Sequence, residues 1–396
     1  MSKSIIIFSF ITAAACLISC DYKNDSSRKF VEENVEFAAE QYNLMTAMIE
    51  DSGRIMNPKS FINGKMKFIS AREWTSGFFP GSLWYLYELT GDEKWREEAI
   101  KQTEWLDTIQ YYTRNHDVGF MIGCSYGNGL RLTGNEKYKD VIVQTAKSLS
   151  TRFNPVTGVI LSWNPNRSKD WQYPVIIDNM MNLELLFDAT EFSGDSTFYN
   201  IAVSHADITM KEHYRPDYST WHVIDYSPED GSVRHRNTHQ GYSDESSWAR
   251  GQSWGVYGYV LCYRKTGDIK YLHHAEKALE FIVSHPNFPE DGVPYWDFDS
   301  PDIPDTYRDV SSASILASAL YELSLYSNKK DYKALADKIM ISLASDDYRA
   351  KAGENGFFIL MHSVGSIPHD SEIDVPLNYA DYYFLEALKR KRDLEG

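Results

Sequence analysis

Cysteine is scarce in this chain of 396 residues, with four in total. Cys16 and Cys20 fall in the first twenty positions, and only Cys124 and Cys262 lie in the body. A scaffold held by several disulfides is excluded, leaving one bridge or two buried free thiols. Positive charge is also in deficit. The formal net charge is −16, which excludes nucleic-acid binding because a phosphate backbone needs a basic surface. An anionic small molecule stays compatible, since local Arg and His override the global sign within a Debye length. The chain has no Gly-rich phosphate loop, no Gly-x-Ser-x-Gly nucleophile elbow and no His-Glu-x-x-His zinc motif. Its one long apolar run, Ile5 to Ile18, is too short for a confident membrane span.

That run follows Lys3 and ends in Leu17-Ile18-Ser19-Cys20. It reads as an export signal over 1–19 with a bacterial lipobox, cleaved before Cys20, whose thiol then carries a lipid. An ordinary secretory signal with an incidental Cys is the alternative. Residues 20–30 read as a polar tether and 31–396 as a single domain. The expected location is periplasmic or outer-membrane-anchored, with the lipid on Cys20 as the only membrane contact.

Aromatic residues are plentiful, with 10 Trp and 27 Tyr. They suit either sugar rings or an aromatic-rich core. A local pattern recurs among them: Leu89-Thr90-Gly91-Asp92-Glu93-Lys94-Trp95, then Leu132 to Tyr138, Phe192 to Phe198 and Lys265 to Tyr271, with a degraded copy at Tyr326 to Tyr332. Gly ends one helix in the left-handed conformation, and the next Asp or Asn caps another. Each copy is a tight turn between antiparallel helices. Flanking apolar residues keep helical spacing, as in Leu272, Ala275, Leu279 and Ile282. About twelve helices result. Five turns join ten of them; helices near Val31–Glu50 and Tyr379–Leu388 can close a ring. The expected fold is all-α, an (α/α)6 barrel of six antiparallel pairs, with an open solenoid as the alternative.

Helices alternate in direction, so the loops leading into each pair share one end. They contain Arg72 to Pro80, Asn115 to Phe120, Ile176 to Asn182, Ser247 to Trp254 and Arg308 to Ser312. Unusual polar and aromatic residues thus converge on one mouth. Asp117 and Asp178 each sit before a helix, where a cap is the ordinary reading. Together at one mouth they look like a carboxylate pair whose pKa values are pushed apart. Trp248, Arg250, Gln252 and Trp254 suggest a stacking platform beside a guanidinium, or else core Trp with a salt bridge. His235 and His239, with Arg234 and Arg236, read as a basic rim for an anionic sugar in a loop, with a weak metal site as the alternative. His273-His274 reads as a surface pair.

Four ordered segments resemble the family 88 glycoside hydrolases: Trp-Thr-Ser-Gly-Phe-Phe-Pro-Gly from Trp74, His-Asp-Val-Gly-Phe from His116, Ile-Ile-Asp-Asn-Met-Met-Asn from Ile176, and Trp-Ala-Arg-Gly-Gln-Ser-Trp from Trp248. The resemblance spans about Glu33 to the C-terminus. It implies the same barrel, catalytic roles for Asp117 and Asp178, and sugar contacts at Trp74, Phe78, His116, Trp163, His222, Gln240, Trp248, Arg250 and Trp254. It implies an oligosaccharide partner with a Δ4,5-unsaturated uronic acid at its non-reducing end, and neither metal nor organic cofactor. Asp178 would protonate C4 of the enol ether and activate water for C5, with Asp117 as its partner. Arg250 or a nearby His would hold the uronate carboxylate. The alternatives are an unsaturated rhamnogalacturonyl hydrolase of the related family 105, an inverting glycosidase on the same barrel, and a lipoprotein that binds sugar without turnover. In some members of the family a Ser-rich segment near the C-terminus, with a nearby Lys, receives a sulfate. Here His362 to Glu372 keeps serines but has Asp370 and Glu372 and no Lys, so the resemblance does not carry over 6-sulfate recognition in that manner.

Overall fold

A computed structural model describes residues 7–165, 167–327, 329 and 331–395, with side chains from residue 26 onward except Arg167. Residues 1–6 of the expected signal and the side chain of Cys20 lie outside the described residues. So do Asn328 and Lys330 in the degraded turn.

The helices are α1 (Ile7–Asp51), α2 (Phe78–Thr90), α3 (Glu93–Glu104), α4 (Val118–Ile122), α5 (Asn128–Thr133), α6 (Glu136–Ser150), α7 (Leu183–Ser193), α8 (Ser196–Glu212), α9 (Ala249–Thr266), α10 (Ile269–Ser284), α11 (Val310–Tyr326), α12 (Asp331–Leu343) and α13 (Asn378–Glu395). One π turn, Gly123–Gly127, joins α4 to α5, so these two act as a single bent rod. α13 packs on α1, α2 and α11, which closes the ring. The (α/α)6 barrel is therefore as expected, with α1 and α13 as the sixth pair.

The turns follow the local chemistry. Gly91, Gly134, Gly194 and Gly267 all take left-handed φ, and each donates its N–H four residues back. Asp92, Asn135, Asp195 and Asp268 then cap the next helix by accepting a backbone N–H two residues on. Trp95, Tyr138, Phe198 and Tyr271 are buried against the pair they close.

Three features differ from the sequence reading. Short antiparallel strands occupy the mouth: β1 (Asn57–Ile62) with β2 (Lys65–Ile69), β3 (Phe153–Asn154) with β4 (Val159–Ile160), a sheet of β5 (Tyr173–Ile176), β6 (Val223–Tyr226) and β7 (Val233–Asn237), and β8 (Ser363–Ser366) with β9 (Ser371–Val375). They are too short for alternation to register in sequence. Residues 20–30 are helical, because α1 runs on without a break. His274 is buried, not at the surface, because it packs edge-on between Tyr214 and Tyr259 with ring centroids 4.2 and 4.4 Å away. Cys124 and Cys262 are buried free thiols.

The closed end is held by paired charge. Glu386 accepts hydrogen bonds from Tyr85 (2.8 Å), Tyr257 (3.0 Å) and Ser318 (2.5 Å), tying α13 to α2, α9 and α11. Around it a cavity of about 490 Å³ is lined by pairs such as Arg264–Glu184 and Lys265–Asp188. Removing a buried carboxylate strands its donors, so Glu386→Ala should lower the unfolding free energy by about 3 kcal/mol. Urea denaturation monitored by circular dichroism measures this, and a loss under about 1 kcal/mol would contradict the clamp.

Candidate active site

Asp117 stands directly before α4, yet its side chain accepts no capping hydrogen bond. Asp178 lies in a 3-10 turn, Ile177–Asn182, that feeds α7. The capping alternative for Asp117 is thereby set aside. Both side chains are nearly buried, at 8% and 7% exposure. Burial pushes the Asp117 carboxyl well above the usual carboxylate range, the charges of Asp178 and Glu73 add to this, and Arg152 opposes it. Burial likewise raises Asp178 to about 7, against the pull of Arg250, a backbone N–H and Trp254. Two desolvated carboxyls that repel each other resist double ionisation, so the pair retains a proton near neutral pH.

Each aspartate faces a buried imidazole. His116 Nε2 is 3.2 Å from Asp117 Oδ1. Its Nδ1 lies 3.4 Å from Ser162 Oγ and 3.5 Å from Asn182 Nδ2. The Asn182 amide is oriented because its Oδ1 accepts the Phe120 N–H at 3.0 Å. Burial lowers His116 to about 3, so the ring is neutral. His222 Nε2 lies 3.7 Å from Asp178 Oδ2. Two motif glycines serve this packing. A Cβ on Gly119 would sit 2.5 Å from Asn182 Oδ1, and one on Gly77 2.3 Å from the Met121 carbonyl oxygen.

The aromatic residues divide by depth. Trp74 and Trp163 are half-buried, and Trp163 is stacked on Trp171 with ring centroids 5.8 Å apart. Phe78 has no exposed surface and supports Trp74 edge-on from 5.9 Å, so it lies behind the mouth wall. Trp254 is also fully buried, against Phe120 and Tyr383. Trp248 is not an open platform either: Arg250 lies 4.5 Å from its ring centroid and the His222 ring 4.4 Å away. Gln240 is half-buried and donates to the Gly365 carbonyl at 3.0 Å.

Arg250 is 1% exposed, and its guanidinium is largely occupied. It donates to Asp309 Oδ2 (2.8 Å) and to the carbonyls of Val364 (2.5 Å) and Gly365 (2.8 Å). The expected basic rim is neutralised in place: Arg234 pairs with Asp225 and Asp170, and Arg236 with Glu212. His235 sits on β7 beside Asp170, in a strand instead of a loop, while His239 lies with His369 at a centroid distance of 4.2 Å. Glu372 is turned to Lys59 and Lys67, each within 2.8 Å.

A family model described as Glycosyl Hydrolase Family 88 matches residues 52–389. The chain belongs to that family. The unsaturated glucuronyl hydrolase of Formosa agariphila is 50% identical over 327 residues, 82% of each chain. That of Bacillus sp. strain GL1 is 34% identical, over 80% of this chain and 86% of the relative. A solved structure of an unsaturated glucuronyl hydrolase specific for heparin is 46% identical, with a TM-score of 0.88 over 92% of this chain and 98% of its own. Membership in family 88 sets aside the family 105 alternative.

Sequence reasoning gave no role to Asn182, Ser162, Asp309, Arg152 or Tyr379. Asn182 and Asp309 stood within quoted loops, where a polar residue beside a candidate was a usable signal. Arg152 had none: it lies just past the end of α6 and reaches the site by donating to the carbonyls of Thr113, Leu161 and Ser162.

The raised Asp178 pKa has a stability consequence. The folded protein holds this proton more tightly than the unfolded chain, whose carboxyl titrates near 4. The favourable contribution is full below about pH 4 and is lost as pH rises to about 7. Asp178→Asn should therefore exceed the parent in unfolding free energy by on the order of 2 kcal/mol at pH 8, with the gap closing near pH 4. A pH-independent gap in thermal unfolding would count against this.

Proposed function

We propose that the protein is an unsaturated glucuronyl hydrolase. It removes the Δ4,5-unsaturated uronic acid from the non-reducing end of lyase-generated glycosaminoglycan oligosaccharides. The observation that carries the mechanism is Asp178, a carboxyl held near pKa 7 among Trp254, Arg250 and His222. Such a group is protonated for a useful fraction of time at neutral pH, as a general acid must be.

The reaction follows from the enol ether. Asp178 gives its proton to C4, using the π electrons of C4=C5, and positive charge spreads over C5 and the ring oxygen. Water bonds to C5 as the Asp178 carboxylate takes one of its protons. The hemiketal opens at the C5–ring oxygen bond, and the hemiacetal left at C1 then releases the glycosidic alcohol. No carboxylate attacks the anomeric carbon, which departs from the usual two-carboxylate scheme. Asp117, when ionised, opposes loss of the Asp178 proton and stabilises the positive charge that develops on the sugar. Arg250 supplies positive potential toward the uronate and toward Asp178; with most of its donors engaged, it acts chiefly through its field. Trp74 and Trp163, the half-buried members of the aromatic set, are the ones left to stack on the sugar.

Two tests apply. With a panel of lyase-made disaccharides of defined sulfation, the parent should remove the double-bond absorbance, while Asp178→Asn should lose on the order of a thousandfold in kcat with its fold retained. Near-normal turnover by that variant, or equal hydrolysis of saturated analogues, rejects the assignment. We also propose that residues 1–19 are cleaved and that Cys20 carries a lipid, supported by the Leu17-Ile18-Ser19-Cys20 run. Cys20→Ala should move the protein from the membrane fraction to the soluble fraction of a bacterial host; unchanged membrane association refutes the anchor.

A further inference from the structure

We propose that His222 is a positioning residue that fixes which oxygen of Asp178 carries the transferable proton. The inference rests on the hydration chemistry above. His222 Nδ1 accepts two backbone N–H groups, from His239 and Gln240, each at 3.1 Å. A ring nitrogen that accepts holds no proton, so the proton of the neutral imidazole lies on Nε2. Burial, aided by the Arg250 charge and by the histidines at 213, 239 and 369, keeps the ring neutral. Trp248 lies over the ring, and Trp163 meets it edge-on at 6.3 Å, so its plane is fixed from two sides.

Nε2 then points at Asp178 Oδ2, 3.7 Å away. Both atoms are buried and neither has a hydrogen-bond partner, so the 3.7 Å contact is an approach that has yet to close into a hydrogen bond. The other groups facing this carboxyl are Arg250 and Trp254 from α9, with Asp117 across the mouth. Catalytic hydrogen bonds are commonly long before substrate closes a site. Donation to Oδ2 reserves that oxygen as an acceptor and leaves the proton on Oδ1. In the first step the Oδ1–H bond breaks, the proton joins C4, and the bonding electrons stay on the carboxylate. The Nε2–H bond strengthens as Oδ2 becomes part of an anion. In the second step the carboxylate recovers a proton from the water that adds to C5. His222 loses no proton in either step; it favours the state in which charge develops.

Glutamine can place an amide N–H near the Nε2 position, whereas asparagine places one near Nδ1. The test compares the parent, His222→Gln and His222→Asn on one unsaturated glycosaminoglycan disaccharide across pH. His222→Asn should lose on the order of a hundredfold in kcat with KM changed by less than about threefold. Its alkaline limb should move up by about one pH unit, because the donor that stabilised the carboxylate is gone. His222→Gln should keep the parental limb and recover about tenfold of the lost kcat. Equal losses in both variants, or an unmoved limb in His222→Asn, overturn the proposal and leave the function standing. Should the asparagine variant fold poorly, a hundredfold loss in well-folded His222→Gln overturns it alone. A parent inert on every unsaturated disaccharide removes the function and this inference together.

Discussion

The guanidinium of Arg250 is almost wholly withdrawn from water, and a charge so placed must be compensated on several sides. Asp309 supplies the counter-charge from the start of α11, the carbonyls of Val364 and Gly365 accept from β8, and Trp248 and Tyr379 give it aromatic faces. Meeting those demands fixes α9 against α11, the C-terminal hairpin and α13. It also pins Trp248, which covers His222, which faces Asp178. The same positive charge restrains how far burial raises the Asp178 carboxyl. The acid strength of the site is thus a balance between desolvation and one buried cation.

The two ends of the barrel use polar groups in opposite ways. At the closed end the charges are paired, and Glu386 draws three inner helices onto α13. At the mouth His116 Nε2, Asp178 Oδ2, His222 Nε2, Arg250 Nε and Trp254 Nε1 are buried without a hydrogen-bond partner. Unsatisfied groups of this kind cost stability, and those at the mouth surround the two aspartates, where a substrate can meet them. The tight turns keep the closed end short, so the long insertions, and the strands within them, gather where the chemistry is.

Much of the barrel was legible in local sequence. A Gly in left-handed conformation followed by a capping Asp or Asn acts over only a few residues, so Gly91-Asp92 or Gly267-Asp268 states its structure without help from the rest of the chain. The same holds for the positions of Asp117 and Asp178 before helices. Contacts over long separations were not legible. His274 looked like a surface residue until Tyr214 and Tyr259 enclosed it. Arg234 and Arg236 looked like a basic rim until Asp225, Asp170 and Glu212 met them.

The sequence by itself determined the helices, their pairing, the mouth and the residue types gathered there, because caps, turns and helical spacing are short-range. Tertiary structure decided what those residues are able to do. The Asp178 proton depends on desolvation by distant segments and on Arg250, 72 positions away (250 − 178). The His222 tautomer depends on two backbone N–H groups delivered after β7. Desolvation and hydrogen-bond direction are properties of an enclosed volume, and that volume exists only once the ring has closed.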